Sequence, residues 1–335
     1  GAKTAGVVTV TNAIVITGTA AQVTAALVTT ASLVVAATAK GTISDAASTS
    51  IAATVLSAIG AKTSGIVTVT NAIVITGTAA QVTAALVTAD TLVVAATTLG
   101  TISDAADVSI AATVLSAIGG KTSGAVTVTN AIVVTGTTAA LTAAMIGASS
   151  VVAATAKLTG SGTDMTDDQL AALDNTTNNI ITATLATGGV ADFANMTDDS
   201  GNNVITVNIN GSGSFAATLL SAIGGKTSGV VTATTVITIT GTTAQLTAAL
   251  VTADTLVVAQ AAVIGTISDA ADVSIAATAL SAIGAKTAGV VTVTNAIVIT
   301  GVAAALTAAL VTADTLVVAA TAKGTISDAD GVSIA

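Results

Sequence analysis

The chain has 335 residues with 17 acidic side chains, all Asp, and 8 basic ones, all Lys; its net charge is −9, and it has no His, Cys, Trp, Tyr or Pro. Acid-base catalysis near neutral pH leans on His or a tuned carboxylate, and nucleophilic catalysis on an activated side chain beside a base, so most enzyme constellations are excluded. The acidic balance also argues against nucleic acid, whose phosphates need Lys and Arg, and against an anionic membrane surface.

Mean hydropathy is +0.94, and no charge occurs from Thr4 to Ala39. Thr and Gly nevertheless break every apolar run, as in IVITGTAAQVTAAL (Ile14 to Leu27). A spanning helix wants about 20 predominantly apolar residues with basic and aromatic flanks, so no membrane span is expected.

From the first residue the chain is repetitive. The motif GAKT or GGKT begins at Gly1, Gly60, Gly119, Gly224 and Gly284, so successive starts differ by 59, 59, 105 and 60. Self-similarity at a fixed period marks units that bury their apolar faces by stacking on neighbours. In chain order, VVTVT (Val7 to Thr11) reads as a half-buried strand by its alternation. IVITG then leads into a helix capped by Thr19, with Ala20, Val23 and Leu27 on one stripe. LVVAAT (Leu33 to Thr38) reads as another strand, and TISDAASTSIAATVL (Thr42 to Leu56) can be laid on IVITGTAAQVTAALV (Ile14 to Val28) with a small slip, as the strand and helix of the second half. The helix closing the repeat takes Ser48 as N-cap, Ile51, Val55 and Ile59 as its stripe, and Gly60 as C′ glycine, with Lys62 near the negative end of the dipole.

The two halves of the repeat can be laid on one another, so one coil is about 30 residues: strand, short turn, strand, helix. The expected fold class is an α/β tandem-repeat solenoid with parallel strands and one short helix per roughly 30-residue coil. About eleven coils at 4.8 Å would make a rod on the order of 50 Å. An all-β solenoid, with TAAQVTAAL as strand and bend, is the alternative.

The long interval carries 46 residues beyond one 59-residue repeat. This divides the chain into repeats over 1–157, divergent inserted coils over 158–214 and repeats again over 215–335. Seven of the 17 Asp lie in the insertion, where TDMTDDQLAALDN reads as a capped helix with Leu170 and Leu173 on one face. IITATL and VITVNI read as strands, and Phe193 and Phe215 as local core.

Calcium is the one cofactor the residue types could serve, since it takes six to eight oxygen ligands. The turn Asp198, Asp199, Asn202, Asn203 is its candidate, although the spacing matches neither an EF-hand nor a calcium-binding β-roll. Otherwise no cofactor is expected. In the recurring SDAAD segments, Asp107 and Asp272 are expected to cap the following helix, and Asp104 and Asp269 to pair with turn backbone. The GKT of GGKT lacks the first glycine of a phosphate-binding loop and follows a helix rather than a strand, so nucleotide is not expected there.

The segments NAIVITGTAAQVTAALVTADTLVVAAT (Asn71 to Thr97) and GTISDAADVSIAATVLSAIG (Gly100 to Gly119) resemble the tandem repeats of giant Ala/Thr/Val-rich cell-surface proteins of marine unicellular cyanobacteria, and of structural and fibre proteins of their phages. The likeness covers all but the insertion and is one of repeat style. It implies a non-catalytic structural segment of an extracellular fibre or cell-surface layer, whose partners are further repeats of its own chain or identical chains. The alternative is an adhesin or phage fibre that grips a surface receptor or polysaccharide through the inserted segment.

Overall fold

The computed structural model describes residues 3–4, 6–29, 34–88, 93–147, 151–193, 196, 202–252, 257–259, 263–312 and 317–331. The chain gathers into two compact units, residues 1–161 with 172–181, and residues 162–171 with 182–335. Both are α/β solenoids, and every strand pair described within them is parallel.

The repeat beginning at Gly60 shows how the coil is built. Its described elements are strands Val67–Val69 and Val74–Gly77, helix Ala79–Leu86, strands Val93–Val94, Leu99–Ile102 and Ser109–Ala111, and helix Ala112–Gly119. Bonded strands lie three elements apart in chain order: Val74–Gly77 pairs with Leu99–Ile102, which pairs with Val126–Val128, which pairs with Val151–Val152. Three sides therefore make one turn, which carries the chain from Ser50 to Val74, from Val74 to Leu99 and from Gly100 to Val126. Seven sides taken three at a time give two and one-third turns per repeat. The second unit follows the same rule, with Ser214–Ala216, Thr238–Gly241, Ile264–Ile267, Val291–Val293 and Val317–Val318 in one ladder.

One helix per half-repeat of sequence holds, since each repeat contains two helices, but a turn of the coil is shorter than half a repeat. The seventh side accounts for the difference. Ile51 belongs to a strand, Ser50–Ala52, bonded to Val74–Thr76, and the helix starts only at Ala53. β-branched Ile51 points inward between exposed Ser50 and Ala52, which is strand alternation rather than a helical stripe. Ser48 is not the cap: it sits in the turn before this strand at φ 65, and the N-cap position is Ala52, with no side-chain bond. Gly60 is the last helical residue, and the chain leaves through Ala61 at φ −65, so no left-handed glycine closes the helix.

The other helix forms as its sequence suggests. Thr19 accepts from the Gln22 N–H while the Gln22 side chain accepts from the Thr19 N–H, a reciprocal capping box that recurs at Thr78/Gln81 and Thr242/Gln245. Val23 and Leu27 are buried, as are Leu56 and Ile59 of the second helix type. Each such side chain contributes about 1.5–3 kcal/mol by leaving water. In the strands, Val67 and Val69 point inward and Thr68 outward. Inward room is shared between small and large: a Cβ on Gly100 would come within 3.1 Å of Val126 Cγ1 in the next turn.

Strand pairing continues through the insertion within each unit. Leu158 N–H donates to Ile180 O; Thr182–Thr184 pairs with Val204–Thr206, and Val207–Ile209 with Val231–Ala233. The helix Asp167–Asp174 carries a capping box of Thr166 and Gln169, and its Leu170 and Leu173 are buried. Phe193 is buried, whereas Phe215, in strand Ser214–Ala216, is only half-buried.

Candidate functional site

The polar residues that recur with the repeat converge on joints between successive turns. The first joint is the KTSG corner after helices Ala53–Gly60, Ala112–Gly119 and Ala217–Gly224. Thr63 Oγ1 donates to Ala39 O in the preceding turn, Ser64 N–H and Oγ both donate to Ala37 O, at 2.8 and 3.0 Å, and Gly65 N–H donates to Thr63 Oγ1. Thr122, Ser123 and Gly124 repeat this on Thr98 and Ala96, and Thr227 Oγ1 reaches Ile205 O at 2.9 Å. The corner has no room for a side chain at its glycine: a Cβ on Gly124 would stand 2.1 Å from Thr98 O. The Thr-Ser-Gly that ends the motif is therefore a clasp between turns.

The second joint uses the SDA aspartates. Asp45 Oδ2 accepts from Ala20 N–H at 2.6 Å, and Asp104, Asp269 and Asp328 accept likewise from Ala79, Thr243 and Ala303. Each carboxylate thus meets the positive end of a helix lying a full turn earlier in the chain. The backbone oxygens of Asp45, Asp104 and Asp269 in turn accept from Asn71, Asn130 and Asn295 of the next turn, at 2.6–2.7 Å. One residue type so ties three successive turns.

Asp107 and Asp272 do not cap the following helix, whose N-cap positions Ala111 and Ala276 have no side-chain bond. They sit at φ 64 and 60 in the turn before the extra strand, and their carboxylates pair with Lys157 and Lys323 at 2.6 and 2.7 Å. These pairs are exposed, and such pairs contribute about 0–1 kcal/mol.

An open groove of about 450 Å³ lies along helix Ala20–Leu27 and strand Ser50–Ala52, with Ala21, Thr24, Ala25, Ile51 and Val55 in its walls and Asp45 at one end. That carboxylate is committed to Ala20 N–H, and the rest of the lining offers methyl groups and hydroxyls. Of the calcium candidate, Asp198 and Asp199 lie outside the described residues. Asn202 is exposed, Asn203 is 2 % exposed, and Asn203 O accepts from Ser228 N–H at 3.0 Å. No group of three or more acidic side chains that could hold a metal ion occurs among the described residues.

One carboxyl is electrostatically distinct. Burial, and then the neighbouring Asp168 charge, hold Asp167 above the usual aspartate value, with Lys226 opposing them. Asp167 Oδ1 is buried without a hydrogen-bond partner among the described residues.

Sequence reasoning gave the Thr, Ser and last Gly of KTSG no role, reading the motif as a repeat marker, a helix end and a failed match to a phosphate loop. Their signal is within the chain: KTSG recurs unchanged at Lys62, Lys121 and Lys226, while the residue before it is Ala61, Gly120 and Gly225. No helix among the described residues is long and apolar enough to cross a membrane. No protein-family model, curated protein or solved structure matches the chain.

Proposed function

We propose that the chain is a non-catalytic structural segment of an extracellular fibre or cell-surface layer. The observation that carries this reading is where the recurring polar residues go. Thr, Ser, Asn and Asp that could have formed a pocket chemistry instead join each turn to the next, alongside continuous parallel ladders. Hydrogen bonds to a charged group contribute about 1.5–3 kcal/mol and neutral ones about 0.5–1.5 kcal/mol, so such joints resist separation of turns. A coil that carries tension along its axis uses all of them.

Single-molecule pulling between the chain ends tests the mechanical part. Turn-by-turn resistance is expected, each event releasing about 25 residues, on the order of 85 Å of chain. Featureless extension at low force would sink it. Immunogold labelling of intact source cells tests the location: label at the outer surface is expected, and label appearing only after permeabilisation overturns the extracellular reading.

A further inference from the structure

The helices pose a spacing problem. Strands in neighbouring turns sit about 4.8 Å apart, whereas packed helices need about 8–10 Å. The helices come in packed pairs three elements apart, Ala53–Gly60 with Ala79–Leu86 and Ala277–Gly284 with Ala303–Leu310, so each pair occupies one side of the coil. At those general spacings each pair would drive a wedge between two turns on its side. If every repeat placed its pair on the same side, the wedges would add up to a steady bend.

The seven-sided repeat prevents this. Helix Ala112–Gly119 comes seven elements after Ala53–Gly60, one side more than two full turns, and so stands one side further round. Helix Ala79–Leu86 packs against it across the corner. The side the helices leave is taken over by strands: Ser109–Ala111, three elements after Ala79–Leu86, opens a ladder with Val133–Thr137 and Lys157–Ser161. An earlier hand-over of the same kind is visible as the groove, where Ser50–Ala52 stands three elements after Ala20–Leu27 and lines one cleft with it.

We infer that three consecutive 59-residue repeats form one structural period of seven turns, in which the helix pairs visit each side once and their wedges cancel, so that an uninterrupted run of repeats extends without net curvature. Only the order of sides and the spacing of packed helices enter here, so the fibre reading can fail without touching it.

The test adds three copies of residues 60–118 after Ile118 of the full chain and follows the particle by small-angle X-ray scattering. The maximum dimension should grow by roughly 34 Å, seven turns at about 4.8 Å, with an unchanged cross-section. A second variant lacks residues 98–107 in each added copy, which removes the Leu99–Ile102 side and leaves six sides, two whole turns, per copy. All its added helices then fall on one side, and the distance distribution should become that of an arc. A bent seven-sided insert, or a six-sided insert that folds and is equally straight, overturns the inference. Should circular dichroism show the six-sided variant unfolded, the seven-sided result decides alone.

Discussion

At the scale of single residues, the corner glycine is where the coil tolerates least. Gly124→Ala places a methyl 2.1 Å from Thr98 O, a backbone atom that cannot move without opening the ladder, and should cost about 1–3 kcal/mol in urea unfolding. Gly120→Ala, four positions earlier, is the control: its nearest neighbour would be 3.4 Å away, and Ala61 and Ala285 already hold the equivalent place in other repeats. It should change stability little. Asp167 gives a pH-dependent expectation. Its folded-state pKa is raised, so the folded chain holds the proton more tightly than the unfolded chain does. That contribution is full below the ordinary value of 3.8 and is lost as pH rises through the raised value. Asp167→Asn should therefore be more stable than the parent at pH 7, with the advantage vanishing below about pH 3.8, read from thermal melts across that range.

At the scale of elements, helix caps supplied from another turn were the least legible feature. The Thr19 and Gln22 box is local and could be read from spacing, because both partners lie within four residues. Asp104 caps a helix that starts 25 residues before it, and nothing local marks that relation. Asp104→Ala should cost about 0.5–2 kcal/mol. It should also speed amide exchange at Ala79, the N–H it leaves bare, measured by hydrogen exchange. The strand Ser50–Ala52 was hidden for another reason. Ile51, Val55 and Ile59 fit a helical period, and three residues of alternation are too few to outweigh it, so only the bonds to Val74–Thr76 decide.

At the scale of the whole molecule, the fold class was legible because β-branched runs and Ala-rich stripes recur so often that each copy supports the others. The pitch was not. Counting six sides per repeat gives two equal coils, each half a repeat long, while the seventh side shortens the turn and sends every strand to a partner of a different kind. Strand Val67–Val69 lies between Lys40–Ile43 and Val93–Val94, and its copy Val126–Val128 between Leu99–Ile102 and Val151–Val152. No described ladder sets a strand beside its own copy. Cross-β fibrils grow by stacking identical segments in register, and a tandem array of Val- and Thr-rich strands would otherwise supply such segments in quantity. Here a slip of one whole repeat brings a strand round a corner instead of onto its duplicate. A chain rich in identical β-prone segments thereby keeps its duplicates on different sides of the coil, because seven sides per repeat is not a multiple of the three sides per turn.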